Sequence, residues 1–287
     1  MALESTIISH GLPRPDNLAA ARSFEAMLAE TGVTPATVAV IDGVPKAGLL
    51  DADLERIAMD ESVIKVSSRD LGLAMASGRT AGTTVAATAV LAARAGIRVF
   101  ATGGLGGVHR GFSSTMDESA DLTVLSRTPI TVVSAGVKSI LDIRATLERL
   151  ETLGVAVAGY RTNRFPAFYL TDSGEDLDWR VDSPAEIAAA MAARDELGET
   201  SALLIANPLP PGRQLEPALH ARVLADALAA AESAGIRGKA VTPYLLERVQ
   251  RATQGASVAV NLAVAHGNIA LAGQIAGAWS AVQAQTR

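Results

Sequence analysis

Six short runs of β-branched or continuously apolar residues recur along the chain at 37–41, 63–66, 98–101, 130–134, 155–160 and 201–206. Between them lie Ala-rich segments with helical spacing. Those at 18–31, 83–95 and 139–153 each end at a glycine, Gly32, Gly96 and Gly154, the usual stop for a helix. Ser183-Pro184-Ala185-Glu186 has the Ser cap, first-turn Pro and first-turn acid of a helix start. Further helices are expected over 220–234, 243–253 and from about 257 to the C-terminus. Continuously apolar strands suit burial on both faces, and their alternation with helices predicts an α/β layered domain with a largely parallel sheet. Such a fold places ligands at the loops leaving the carboxyl ends of the strands. The Pro-rich stretch 207–217 is too short to act as a linker between domains, so residues 1–287 are read as one domain.

Composition narrows the function. Net charge is −5 and the pI near 5.5, which argues against binding to a nucleic-acid polymer. The absence of cysteine removes disulfides, thiolate nucleophiles and Cys-ligated metal, and fits a cytoplasmic protein. The stretch 252–285 has no charged residue, but Asn261, His266, Asn268 and Gln274 interrupt it, so a buried helix is expected rather than a membrane span. No phosphate loop GxxxxGK[ST], HExxH or GxSxG is present, and the four histidines are scattered.

The basic residues are biased. Of 25, only Lys46, Lys65, Lys138 and Lys239 are lysine. A lysine can shed its proton when desolvated and attack a carbonyl, whereas an arginine cannot. Lys138 follows an apolar run at AGVKS, where a strand-to-helix turn is expected. An ordinary surface lysine is the competing reading. Lys65 and Arg69 lie near a strand end and suit an anion, or solvent. In ATGGLGGVHRG the glycines allow close backbone approach, with His109 and Arg110 as anion contacts. Asp117, Glu118 and Asp121 follow, suited to a hard divalent ion or to a plain acidic helix start. If helical, Asp117 and Asp121 share a face. Glu4 is a lone carboxylate among apolar and hydroxyl residues, a setting for a general acid or for an exposed terminal residue. The stretch 80–85 opens a helix whose free N–H groups would receive an anion.

Taken together, ALESTIISHGLPRP, ATVAVIDGVPKAGL, KVSSRDL, GTTVAAT, VFATGGLGGVHRG, MDESADL, TVVSAGVKSILDI, ANPLP and GKAVTPYLLERV resemble the pseudouridine-5′-phosphate glycosidase family, which includes the indigoidine synthase A-like proteins. The resemblance covers nearly the whole chain. It implies a three-layer α/β/α fold with a largely parallel or mixed sheet, a homotrimer, and Mn²⁺ or another divalent ion such as Mg²⁺. It implies reversible cleavage of the C1′–C5 bond of pseudouridine 5′-phosphate to uracil and ribose 5-phosphate. On this likeness Glu4 is the general acid, Lys138 the nucleophile and Asp117 the metal ligand. Lys65, Val85, Ser119, Ala120 and Asp121 bind substrate, and Asn261 lines the base pocket. Family members carry an N-terminal segment with a strand leading into ALEST; here Met1 lies three residues before Glu4, so either the start is truncated or that strand is missing. Two alternatives accompany this reading: a synthase joining ribose 5-phosphate to a non-uracil aromatic acceptor, and a sugar-phosphate binder without turnover.

Overall fold

The structure, a computed structural model, describes residues 1–285. The first half of the chain forms β1 (Ala2–Leu3), α1 (Asp16–Glu30), β2 (Ala36–Ile41), β3 (Val44–Ala47), α2 (Asp51–Met59), β4 (Ile64–Val66), α3 (Leu71–Ala76), β5 (Ala81–Thr83), α4 (Val85–Arg94) and β6 (Val99–Ala101). There follow α5 (Phe112–Thr115), α6 (Ala120–Leu125), β7 (Thr131–Ser134), α7 (Ile143–Thr152), β8 (Ala156–Tyr160), β9 (Arg180–Val181), α8 (Pro184–Glu196), β10 (Leu203–Ala206), α9 (Pro217–Ser233), α10 (Val241–Ala252) and α11 (Ala256–Gln285). A π-helical turn, Ile7–Gly11, links β1 to α1.

The strands form one sheet in the order β4-β5-β2-β1-β6-β7-β10-β8-β9, with β3 hydrogen-bonded to β2. It is mixed: β2 runs antiparallel to β3 and β5, and the other pairs are parallel. Alternate side chains feed two cores. Phe100, Val132 and Leu204 face α4, α6 and α7, while Val99, Val133 and Ile205 face α1, α8 and α11. Helices cover both faces, which makes a three-layer α/β/α fold. α11 is long and apolar enough to cross a bilayer, yet half of its most apolar window is buried inside the fold. Val260 and Val264 enter one core and Ile269, Ile275 and Trp279 the other, so it is a core helix.

Three expectations are corrected. Thr83 belongs to β5 and not to a helix: its N–H donates to Ser5 Oγ at 2.9 Å and its hydroxyl to Val38 O at 2.7 Å, holding it in the sheet. The helix starts at Val85, capped by Thr84. Lys138 does not stand at a helix N-terminus, because α7 begins at Ile143, where Asp142 accepts from the Ala145 N–H at 3.0 Å. Asp117 lies outside α6, so it shares no helical face with Asp121; Ser119 starts that helix as its cap. The strand before Glu4 is two residues long and sits between β2 and β6, at the middle of the sheet.

Candidate active site

Beyond β6 and β7 the two chain segments continue side by side. The Ala135 N–H donates to Gly103 O, Leu105 N–H to Gly136 O and Lys138 N–H to Leu105 O, each at 3.0 Å. This extension carries Lys138 alongside the glycine-rich segment, and its Nζ donates to Gly104 O at 2.8 Å. The close approach needs glycine. A Cβ on Gly104 would lie 2.6 Å from the Phe168 ring, and one on Gly106 only 2.2 Å from Ser119 Oγ. Phe168 holds a left-handed backbone, φ 62°, a strained state for a bulky residue.

The carboxyl ends of the strands enclose a cavity of about 450 Å³. Glu4, Lys65, Val85, His109, Asp117, Ser119, Ala120, Asp121, Lys138 and Asn261 all line it. Arg110, the other proposed anion contact, does not. Strand order spaces the groups. Lys65 and Val85 stand at the β4–β5 side, Glu4 at the centre after β1, and Lys138 after β7.

Thr102 Oγ1 hydrogen-bonds the Glu4 carboxyl. Burial pushes the Glu4 pKa above the ordinary glutamate value, outweighing Lys138, Thr102 and Lys65, which favour the carboxylate. A carboxyl that holds its proton more tightly in this way is suited to the role of a general acid. Lys65 opens onto the cavity, and its ammonium is held below the usual lysine range by desolvation first and by the charge of Lys138 second. The N–H of Val85, at the start of α4, has no partner among the described residues. Asp121 accepts from the Ala86 N–H at 2.9 Å and the Gly106 N–H at 2.8 Å, so it ties α4 to the glycine-rich loop while facing the cavity. Asn261 makes no side-chain hydrogen bond within the described residues and faces the space beside Gly103.

Asp117 lies beside His109, 4.0 Å from its Nδ1, because the His109 N–H donates to Asp117 O at 3.0 Å and closes the loop. Burial lowers the His109 pKa against the pull of Asp117. Glu118 is held by Arg149 through two 3.0 Å bonds. Among the described residues no group of three His, Asp or Glu surrounds a metal position. One carboxylate facing a wet cavity fits a hard ion such as Mn²⁺ or Mg²⁺ that retains most of its waters.

Sequence reasoning missed Thr102, Phe168 and His10. His10 Nδ1 lies 2.7 Å from Ser9 Oγ, whose hydroxyl donates to Ser5 O at 3.0 Å. The serine has one proton, so Nδ1–H donates and Nε2 is left as an acceptor in the neutral ring. The one signal for His10 was its place in ALESTIISHG.

Comparison with known proteins gives a consistent picture. A family profile described as indigoidine synthase A like protein matches residues 1–278. A pseudouridine-5′-phosphate glycosidase of Frankia alni is 63% identical over 281 residues, which is 98% of this chain and 78% of the relative. Its counterpart in Saccharopolyspora erythraea is 59% identical, over 96% of this chain and 91% of the relative. Among solved structures, the prealnumycin C-glycosynthase AlnA in complex with ribulose 5-phosphate superposes with a TM-score of 0.91 at 38% identity, covering 99% of this chain and 92% of that one. An indigoidine synthase A-like protein of Thermotoga maritima gives a TM-score of 0.89 at 36% identity, covering 96% and 91%.

Proposed function

The chain belongs to the indigoidine synthase A-like family, and we propose that it is a pseudouridine-5′-phosphate glycosidase, reversibly splitting its substrate into uracil and ribose 5-phosphate. The observation that carries this reading is the convergence of Glu4 and Lys138 on one cavity with Lys65 and the Val85 amide to one side.

A C–C glycoside has a poor leaving group. Ordinary glycosidases use two placed carboxyls. Here Asp121 holds two backbone amides, Glu118 holds Arg149 and Asp117 is assigned to the metal ion, which leaves Glu4 without a free partner for that role. A lysine supplies the alternative. Glu4 gives its proton to the ring oxygen as the C1′–O4′ bond breaks, and the neutral amine of Lys138 bonds C1′ and passes one of its protons back to the Glu4 carboxylate, leaving a secondary amine. The nitrogen lone pair then forms the C1′ imine while the C1′–C5 electron pair leaves with uracil, whose C5 takes a proton. Water cleaves the imine, releasing ribose 5-phosphate and restoring Lys138. Lys65, Val85, Ser119, Ala120, Asp121 and His109 hold the sugar phosphate, and Asn261 hydrogen-bonds the base. Release of uracil, followed by ultraviolet absorbance, tests the reading; binding of pseudouridine 5′-phosphate without turnover refutes it.

Asp117 would hold the divalent ion, Mn²⁺ or Mg²⁺, which supplies positive charge to the phosphorylated substrate. Exhaustive EDTA treatment is expected to abolish activity, and added Mn²⁺ to restore it. Asp117→Asn should weaken metal binding, measured by calorimetry, more than Asp121→Asn. The latter should instead lower Tm, since it sets an amide group against a backbone donor of α4 or Gly106. Activity that survives EDTA contradicts this assignment.

The 5′-phosphate is a second test. A hydrogen bond to a charged group contributes about 1.5–3 kcal/mol, so each lost contact costs roughly 10- to 150-fold. Pseudouridine without phosphate is therefore expected to fall in kcat/KM by at least that factor, and Lys65→Ala to erase most of the difference. Equal kcat/KM for nucleoside and nucleotide argues against it.

A homotrimer is the expected assembly, and light scattering gives its mass. The cysteine-free chain suits the cytoplasm. A second reading, C-ribosylation of a non-uracil aromatic acceptor, draws on the likeness to the C-glycosynthase and uses the same Lys138 chemistry in reverse. Mass spectrometry of ribose 5-phosphate with an acceptor panel separates the two.

A further inference from the structure

Asn268 is 1% exposed, in the middle of α11. A buried amide is costly unless its partners are supplied. Here every hydrogen is used: Nδ2 donates to Thr102 O at 2.7 Å and to Gly103 O at 3.2 Å, and Oδ1 accepts from Asn207 Nδ2 at 3.0 Å. Asn207 is itself anchored, its N–H donating to Ser134 O at the end of β7 at 2.8 Å. The two carbonyls that Asn268 holds belong to the stretch that touches both reacting side chains. Thr102 Oγ1 bonds Glu4, and Gly104 O accepts from Lys138 Nζ. An apolar residue of similar size would leave the Thr102 carbonyl without this donor, and the stretch would then rely on its backbone bonds to the β7 side, Thr102 N–H to Val133 O and Ala135 N–H to Gly103 O.

We propose that Asn268 is a positioning residue for the reaction, holding residues 102–104 so that the acid Glu4 and the amine Lys138 meet the sugar together. The proposal rests on the reading that Glu4 and Lys138 carry the reaction. Asn268 does not line the cavity, so substrate affinity is not its task.

Wild type, Asn268→Leu and Asn207→Ala are compared on pseudouridine 5′-phosphate by kcat, KM and pH profile, and by the rate of borohydride trapping of ribose 5-phosphate on Lys138. Small misplacements of reacting groups cost up to about 10²-fold, so kcat and the trapping rate should fall roughly 10- to 100-fold in Asn268→Leu, and less in Asn207→Ala. KM should stay within about twofold, as expected when an interaction acts on the transition state alone. Glu4 faces Lys138, Lys65 and Asp121, all unchanged by the substitution, and Thr102, whose bond favours its ionised form. Loosening Thr102 should therefore move the alkaline limb of the kcat profile to higher pH. Wild-type kcat, trapping rate and pH profile in a folded Asn268→Leu overturn the proposal. If that variant does not fold, a wild-type kcat in Asn207→Ala overturns it. A wild type that neither turns over nor labels overturns the functional reading, and this inference with it.

Discussion

Replacing Lys138 by alanine will end turnover and leave the fold intact. Loss of a covalent nucleophile is worth on the order of 10⁶-fold in kcat. The side chain is half-buried and, among the described residues, its one hydrogen bond is to Gly104 O, so little packing is lost with it. Incubated with ribose 5-phosphate and borohydride, the wild type should carry a reduced sugar phosphate on Lys138, mapped by digestion and mass spectrometry. The alanine variant should carry none. Lys138→Arg should be as inactive, because a guanidinium keeps its charge and cannot form the imine. Label found on Lys65 instead would exchange the roles of the two lysines. Full activity in Lys138→Ala would remove the imine from the mechanism.

The second large effect belongs to Glu4. Glu4→Gln keeps the shape and the Thr102 contact but has no proton to give, and general acid catalysis is worth roughly 10²–10⁴-fold. Because burial raises the Glu4 pKa, the acid persists above the ordinary glutamate range, and wild-type cleavage should decline as pH rises through that raised value. Glu4→Gln should lose this limb. Stability gives an independent sign. A group whose pKa is raised on folding binds more protons in the folded state, so its contribution is fully present below the unfolded value and is lost as pH rises through the folded one. Above that window the wild type bears a buried carboxylate that the glutamine variant lacks. The Tm of Glu4→Gln should therefore exceed that of wild type by an amount that grows with pH across the window and then levels. An unchanged pH–rate profile in the variant would assign the acid to another residue.

Local order was readable where a local cause existed. The six apolar runs became β2, β4, β6, β7, β8 and β10, since β-branched residues bounded by glycine or polar turns leave few other conformations. The strands without such a signature, β1, β3, β5 and β9, are two to four residues long and exist through their neighbours. Thr83 reads as a helix residue by itself and lies in a strand because Ser5 and Val38 hold it there.

The site divides along the same line. The rarity of lysine, the lone Glu4 and the glycine-rich segment with its acids could be read from residue types, because chemistry restricts which side chains attack carbon, give protons or hold hard ions. What these residues do to one another required the fold. Only the strand order brings Glu4, Lys65 and Lys138 to one cavity, near enough for the charge of Lys138 to act on the ionisation of Glu4 and Lys65. Asp121 turned out to serve the architecture of α4 and Gly106 while lining the cavity, and Asp117 to stand beside His109 in a loop. Thr102 lies inside ATGGLGGVHRG and Asn268 inside the uncharged stretch 252–285, but neither residue type names its partner. Their partners lie far away along the chain, and a hydrogen bond between distant residues is decided by tertiary packing, which no local pattern encodes.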